Sequence, residues 1–208
     1  GGPKSIQALT PNGVDAAHFS PGSRAAARER LQQEGQGPLV LCVGHLIERK
    51  DPLLALRAFA VGAPETARLV FVGRGPLAEA VAGAARELGV EERVSLQGER
   101  PPEELVDWYR AASMLLLTSH REGRPNVVLE ALSAGCPVLA TRAGGTGELI
   151  SDPRMLSEGR TPEILGGMLT SLLASPPGAQ ELRRSVRHLT WDASLDALEG
   201  VLGDAAGS

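Results

Sequence analysis

The chain has 208 residues, a formal net charge of −4, 42% hydrophobic residues and 22% charged residues. A chain of this length buries about 70% of its unfolded surface and needs no disulfide or metal staple, and its 25 glycines and 15 prolines fall short of a low-complexity composition. The acidic balance argues against a general nucleic-acid or anionic-membrane binder, and no apolar run approaches the ~20 residues that span a bilayer.

The opening GGPKSIQALT lacks a signal-peptide core, and SIQAL (5–9) predicts a first short strand. SRAAARERLQQE (23–34) predicts a helix opened by a serine cap. PLVLCVG (38–44) is a strand, followed by DPLLALRAFA (51–60), a helix with an Asp cap and proline at its first position. RLVFVG (68–73) leads to the helix PLAEAVAGAARELG (76–89), and RVSLQG (93–98) to PPEELVDWYRAA (101–112), whose first-turn acids suit the helix dipole. SMLLLT (113–118) precedes the helix NVVLEALSAG (126–135), then come the strand PVLAT (137–141) and a weaker one, RMLS (154–157). Helical patterns at 161–174, 179–189 and 191–203 close the chain.

The strands are continuous apolar runs rather than alternating ones, as parallel strands covered on both faces require. Strand–helix alternation with short joints predicts an α/β fold: a Rossmann-like doubly wound parallel sheet of about six strands with helices on both faces. The expected division is an α/β core over 10–160 and closing helices over 161–208, together one domain. Ligands of such sheets bind beyond the carboxyl ends of the strands, so the loops after Val43, Val72, Leu96, Leu117 and Ala140 carry the information. Cys42 and Cys136 sit in apolar runs, read as free small hydrophobes in a reduced cytosolic setting. His18, His45, His120 and His188 have none of the short spacings of structural zinc sites.

Three loops hold candidate chemistry. Lys50 is the penultimate residue of GHLIERKD, just ahead of a helix, where a cation can meet a phosphate. VGRGPLA gives Gly73, Gly75 and Ala78 in a G-x-G-x-x-A pattern, with Glu99 near where a ribose-binding acid would stand, so an NAD(P)-binding oxidoreductase is one alternative. Pro76, which removes an N–H donor, counts against it. In SHREGRPNVVLEALSAGCPVLAT (119–141) a polar turn with Gly123 and Pro125 runs into a helix near Asn126, whose free N–H groups form an anion site. Glu122 lies in the turn and Glu130 about one turn inside the helix, leaning toward the same mouth. Carboxylates beside an anion site suit a phosphorylated, hydroxyl-rich ligand; the bland alternative is a solvated Glu122 and an ion-paired Glu130.

Glu122 and Glu130, with seven residues between them, resemble the E-x7-E motif of the retaining glycosyltransferases of the GT-B fold (glycosyltransferase family 4, group 1). Four further segments resemble family landmarks in the same order: TPNGVDAAHFSP (10–21), VGHLIERKDPLLALRAFA (43–60), VGRGP (72–76) and TRAGGTGELI (141–150). The resemblance implies that this chain is the C-terminal, donor-binding domain, that a nucleoside-diphosphate sugar is the donor, and that the acceptor domain is a separate N-terminal half absent from this chain. It implies Lys50 at the diphosphate, Glu122 at the donor sugar hydroxyls with Gly123, Arg124, Pro125 and Asn126 alongside, Glu130 at the ribose, and Gly98 to Arg100 beside the base. His45 stands where the family usually has arginine and supplies charge only when protonated; Arg124 replaces a commonly apolar residue. No metal or cofactor is implied and no D-x-D is present. A cytoplasmic location follows, with any membrane docking left to the absent domain. A non-catalytic nucleotide-binding scaffold is the remaining alternative.

Overall fold

The structure, a computed structural model, describes residues 13–33 and 35–189. The expected strand at 5–9 and the helix at 191–203 with Trp191 lie outside the described residues. Six strands form one all-parallel sheet: β1 (Leu39–Val43), β2 (Arg68–Val72), β3 (Val94–Leu96), β4 (Met114–Leu117), β5 (Val138–Thr141) and β6 (Leu156–Ser157). The order β3-β2-β1-β4-β5-β6 reverses direction between β1 and β4. Register follows the apolar runs: Leu39 to Val43 pair with Arg68 to Val72, and Val40 and Leu41 pair with Met114 and Leu115.

The helices are α1 (Arg24–Arg30), α2 (Pro52–Gly62), α3 (Ala78–Glu87), α4 (Pro102–Ala111), α5 (Asn126–Ser133), α6 (Thr146–Leu149), α7 (Pro162–Ala174) and α8 (Ala179–Val186). α2 packs on α3 and α7, whereas α1, α4, α5 and α8 pack in succession. The strand-to-helix crossovers thus cover both faces, and Leu39, Leu41, Leu69, Phe71, Leu115 and Leu129 are fully buried between them. Each such side chain gains about 1.5–3 kcal/mol from leaving water.

Three departures have local causes. α1 stops at Arg30 because Gln32 turns to a positive φ of 52°. The expected strand 154–157 is half turn: Pro153–Met155 form a 3-10 turn capped by the Asp152 side chain, leaving only Leu156–Ser157 to pair. The four-residue α6, too short to carry a helical period, was not foreseen. α2 and α7 come so close that a Cβ on Gly62 would lie 2.0 Å from the Gly166 carbonyl oxygen.

Candidate functional site

The crevice of a doubly wound sheet opens where strand order reverses, here beyond the ends of β1 and β4. The loop after β1 winds through a 3-10 turn at Glu48–Lys50 into Asp51, which adopts a left-handed conformation (φ 49°) and caps α2 by accepting from Leu54 N at 3.2 Å. The loop after β4 is tied to it: the Thr118 hydroxyl donates to the Asp51 carbonyl at 2.8 Å, and His120 N donates to the Arg49 carbonyl at 2.8 Å. This brings Lys50 to Glu122. Lys50 Nζ donates to Glu122 Oε1 at 2.6 Å, the Ser119 hydroxyl donates to the same oxygen, and Arg49 stands 3.6 Å from Oε2. The Glu122 side chain is only 6% exposed, so removing Lys50 would leave a buried carboxylate with only the Ser119 hydroxyl and the more distant Arg49 to compensate it. Gly144 and Gly145 press against the turn from below; Cβ atoms there would lie 2.0 Å and 2.1 Å from the Glu122 and Gly123 carbonyl oxygens.

Three residues on, Asn126 opens α5. Pro125 precedes it, no side chain caps it, and its first turn carries no acid; Val128 N donates to the Pro125 carbonyl at 3.0 Å, and the N–H groups ahead of it and the helix dipole are left for the mouth. Gly123 and Asn126 are exposed and Pro125 is buried. Arg124 leans across to Glu148, Nε to Oε2 3.2 Å. Glu130 belongs to a second set of contacts: its Oε2 accepts from the Tyr109 hydroxyl at 2.7 Å. Burial raises its carboxyl above the ordinary value, against the opposing pull of that hydrogen bond and of His18. Burial and the adjacent Glu130 push the Tyr109 phenol well above its own ordinary value. The bland alternative is therefore inverted, for it is Glu122 that is ion-paired and Glu130 that rests on a phenol.

On the other side of Lys50, His45, Gly73, Arg74, Glu99, Arg100 and Leu105 line a hollow of about 130 Å³ beyond the ends of β1 and β2. The Gly98 carbonyl accepts from Gly73 N at 2.7 Å, and the Arg100 guanidinium donates to Gln97 at 2.9 Å while its buried Nε has no partner. This geometry corrects the dinucleotide alternative. Cβ atoms on Gly73 and Gly75 would lie 2.0 Å and 2.4 Å from the carbonyl oxygens of Gly44 and Leu46, so these glycines let two loops meet. Glu99 pairs with Arg74 at 2.8 Å in place of a ribose. Cys42 and Cys136 are free, with burial pushing both thiols up, Cys136 to about 12.

Sequence reasoning missed Ser119, Tyr109 and Asp51, which orient the predicted residues. Asp51 was visible only as a cap, and no spacing rule ties Tyr109 to Glu130, 21 positions away on another helix.

Residues 23–188 match the glycosyl transferases group 1 family. The chain belongs to that family. It is 36% identical over 213 residues to a D-inositol 3-phosphate glycosyltransferase of Acidothermus cellulolyticus, covering 95% of this chain and 48% of the relative. Among solved structures it is similar to sucrose-phosphate synthase from Thermosynechococcus elongatus (27% identity, TM-score 0.84, 97% of this chain and 53% of that one). The fold also matches Anabaena HepE at TM-score 0.80 and 18% identity, covering 94% of this chain and 56% of that one. The group 1 chain spans about half the length of the curated relatives it matches, and its sheet is that of the C-terminal half of a GT-B fold. Neither the family match nor these relatives support an oxidoreductase.

Proposed function

We propose that this chain is the donor-binding half of a glycosyltransferase that moves a sugar from a nucleoside-diphosphate sugar to an acceptor with retention of configuration. The acceptor site would lie on an N-terminal domain outside this sequence. The observation that carries the reading is the buried Lys50–Glu122 pair at the β1/β4 crevice, beside the uncapped start of α5. HepE, which shares the fold, has been solved with UDP and glucose.

Glycosyl transfer breaks the bond between the anomeric carbon and the diphosphate, and the leaving group gathers negative charge as it departs. Fixed positive groups and aligned amides are what lower that barrier. Lys50 and the α5 N–H groups supply them without a metal, with His45 adding charge when protonated. Glu122 accepts sugar hydroxyls. It acts as a positioning group and not as a nucleophile, its carboxylate fixed through Oε1 by Lys50 and Ser119. Retention then comes from attack by the acceptor on the face the diphosphate leaves. Glu130 holds the ribose, and the hollow flanked by Arg100 receives the base. The reaction is placed in the cytoplasm, with any membrane contact made by the other domain.

The test compares a nucleoside diphosphate with its sugar-bearing form by calorimetry. In the parent chain the sugar adds affinity. Glu122→Gln is expected to erase that increment, about tenfold for charge-assisted hydrogen bonds, while binding the bare diphosphate at least as tightly because Lys50 is released. A sugar increment unchanged by Glu122→Gln would overturn the assignment.

A further inference from the structure

Arg160, in the loop after β6, sits two strands away from the crevice, yet its guanidinium reaches both of the loops that form it. Nη1 donates to the Ser119 carbonyl at 2.6 Å and to Thr141 Oγ1 at 3.2 Å. Nη2 donates to the Thr118 carbonyl at 3.0 Å and to Asp51 Oδ2 at 2.9 Å. Thr118 and Ser119 lie past the last paired residue of β4, Leu117, so their carbonyls have left the ladder and need other donors. Asp51 directly follows Lys50. Ser119 is the residue whose hydroxyl holds Glu122.

We propose that Arg160 is a positioning residue for diphosphate binding, fixing the Lys50 loop through Asp51 and the Glu122 loop through the Thr118 and Ser119 carbonyls. It touches neither Lys50 nor Glu122 through these bonds and acts only through their neighbours. The geometry asks for a planar fork with donors on two nitrogens, which arginine has and lysine lacks. At 30% side-chain exposure the guanidinium is sheltered enough for these bonds to set the loop positions. Asp51 is held from three sides, by Arg160, by the Leu54 amide and by His120 at 3.1 Å. Its left-handed backbone, uncommon for a residue with a side chain, is thereby over-determined, and with it the direction in which Lys50 leaves the turn.

This inference rests on the donor-site reading, and the experiment separates the two. UDP, GDP and ADP, each with its matched monophosphate, are titrated calorimetrically into the parent chain, Arg160→Gln and Arg160→Lys, with melting temperatures measured alongside. For the tightest-binding nucleotide, Arg160→Gln is expected to weaken the diphosphate about tenfold while the monophosphate stays within about twofold, because ribose and base are held elsewhere. Arg160→Lys should recover part of the loss; should Arg160→Gln fail to fold, Arg160→Lys takes its place, with the diphosphate still expected to weaken more than the monophosphate. Equal weakening of both nucleotides means a general structural role and overturns the inference, as does an unchanged diphosphate affinity. A parent chain that binds none of the diphosphates overturns the donor-site reading itself, and the inference falls with it.

Discussion

At Glu130 burial works against the charge, and the Tyr109 hydroxyl and the field of His18 offset it only in part, so its carboxyl stands above the ordinary range. The folded chain therefore holds this proton more tightly than the unfolded chain does. The stabilising contribution of the protonated form is lost as pH rises from the ordinary carboxylate range through the raised value. Glu130→Gln removes that dependence while its amide oxygen can still accept from Tyr109. The variant should melt higher than the parent at pH 7, with the gap closing toward pH 4. In the same variant the preference for a ribonucleotide over its 2′-deoxy form should fall by about tenfold or more, the worth of a charge-assisted hydrogen bond. Scanning calorimetry across pH and paired titrations check the two halves separately. An unchanged sugar preference would remove Glu130 from the ribose site. The sequence could place Glu130 about a turn inside α5 because helix geometry is local. It could not show that Glu122 is bound to Lys50, 72 positions away, because nothing in linear spacing encodes where two loops meet.

Among the elements, the apolar runs were the most legible part of the fold. Each of the strands predicted at 38–44, 68–73, 93–98, 113–118 and 137–141 is present with one to three residues trimmed from its ends in total. The weak 154–157 run kept only two paired residues because Pro153 cannot donate and the Asp152 side chain closes a turn instead. Hidden from the sequence was the purpose of the glycines. Gly73 and Gly75 resemble a dinucleotide turn, yet they serve a loop-to-loop approach. The same accounting separates two other positions. Gly145→Ala and Gly62→Ala would each drive a Cβ into a backbone carbonyl, and each should cost about 1–3 kcal/mol of stability as overpacking. Only Gly145→Ala displaces the Glu122 turn. Gly62 ends the eleven-residue α2, about 16 Å along the helix from Lys50. Denaturant titration should show both variants destabilised, and nucleotide titration should show the diphosphate weakened in Gly145→Ala alone.

For the molecule as a whole, net charge hides the local field. The chain is acidic overall, yet Arg49, Lys50, Arg74 and Arg100 outnumber their partners Glu122 and Glu99 around the carboxyl ends of β1, β2 and β4, beside the start of α5. Such a concentration favours a polyanion at one place without making the surface basic. Among the described residues no helix is long and apolar enough to cross a membrane. The family was legible because five landmarks occur in order; the sugar, the base and the acceptor were not, since the side chains that choose them are few and the chain spans only about half of its relatives. The central claim is that Lys50 and the start of α5 grip a diphosphate without help from a metal. Thermal denaturation with UDP, GDP and ADP in excess EDTA tests it most directly, since a ligand at a hundred times its Kd adds about 2.7 kcal/mol to folding stability. The expected result is a higher melting temperature with at least one diphosphate, abolished in Lys50→Ala; a melting temperature that moves with none of them, or only once a divalent cation is restored, would contradict it.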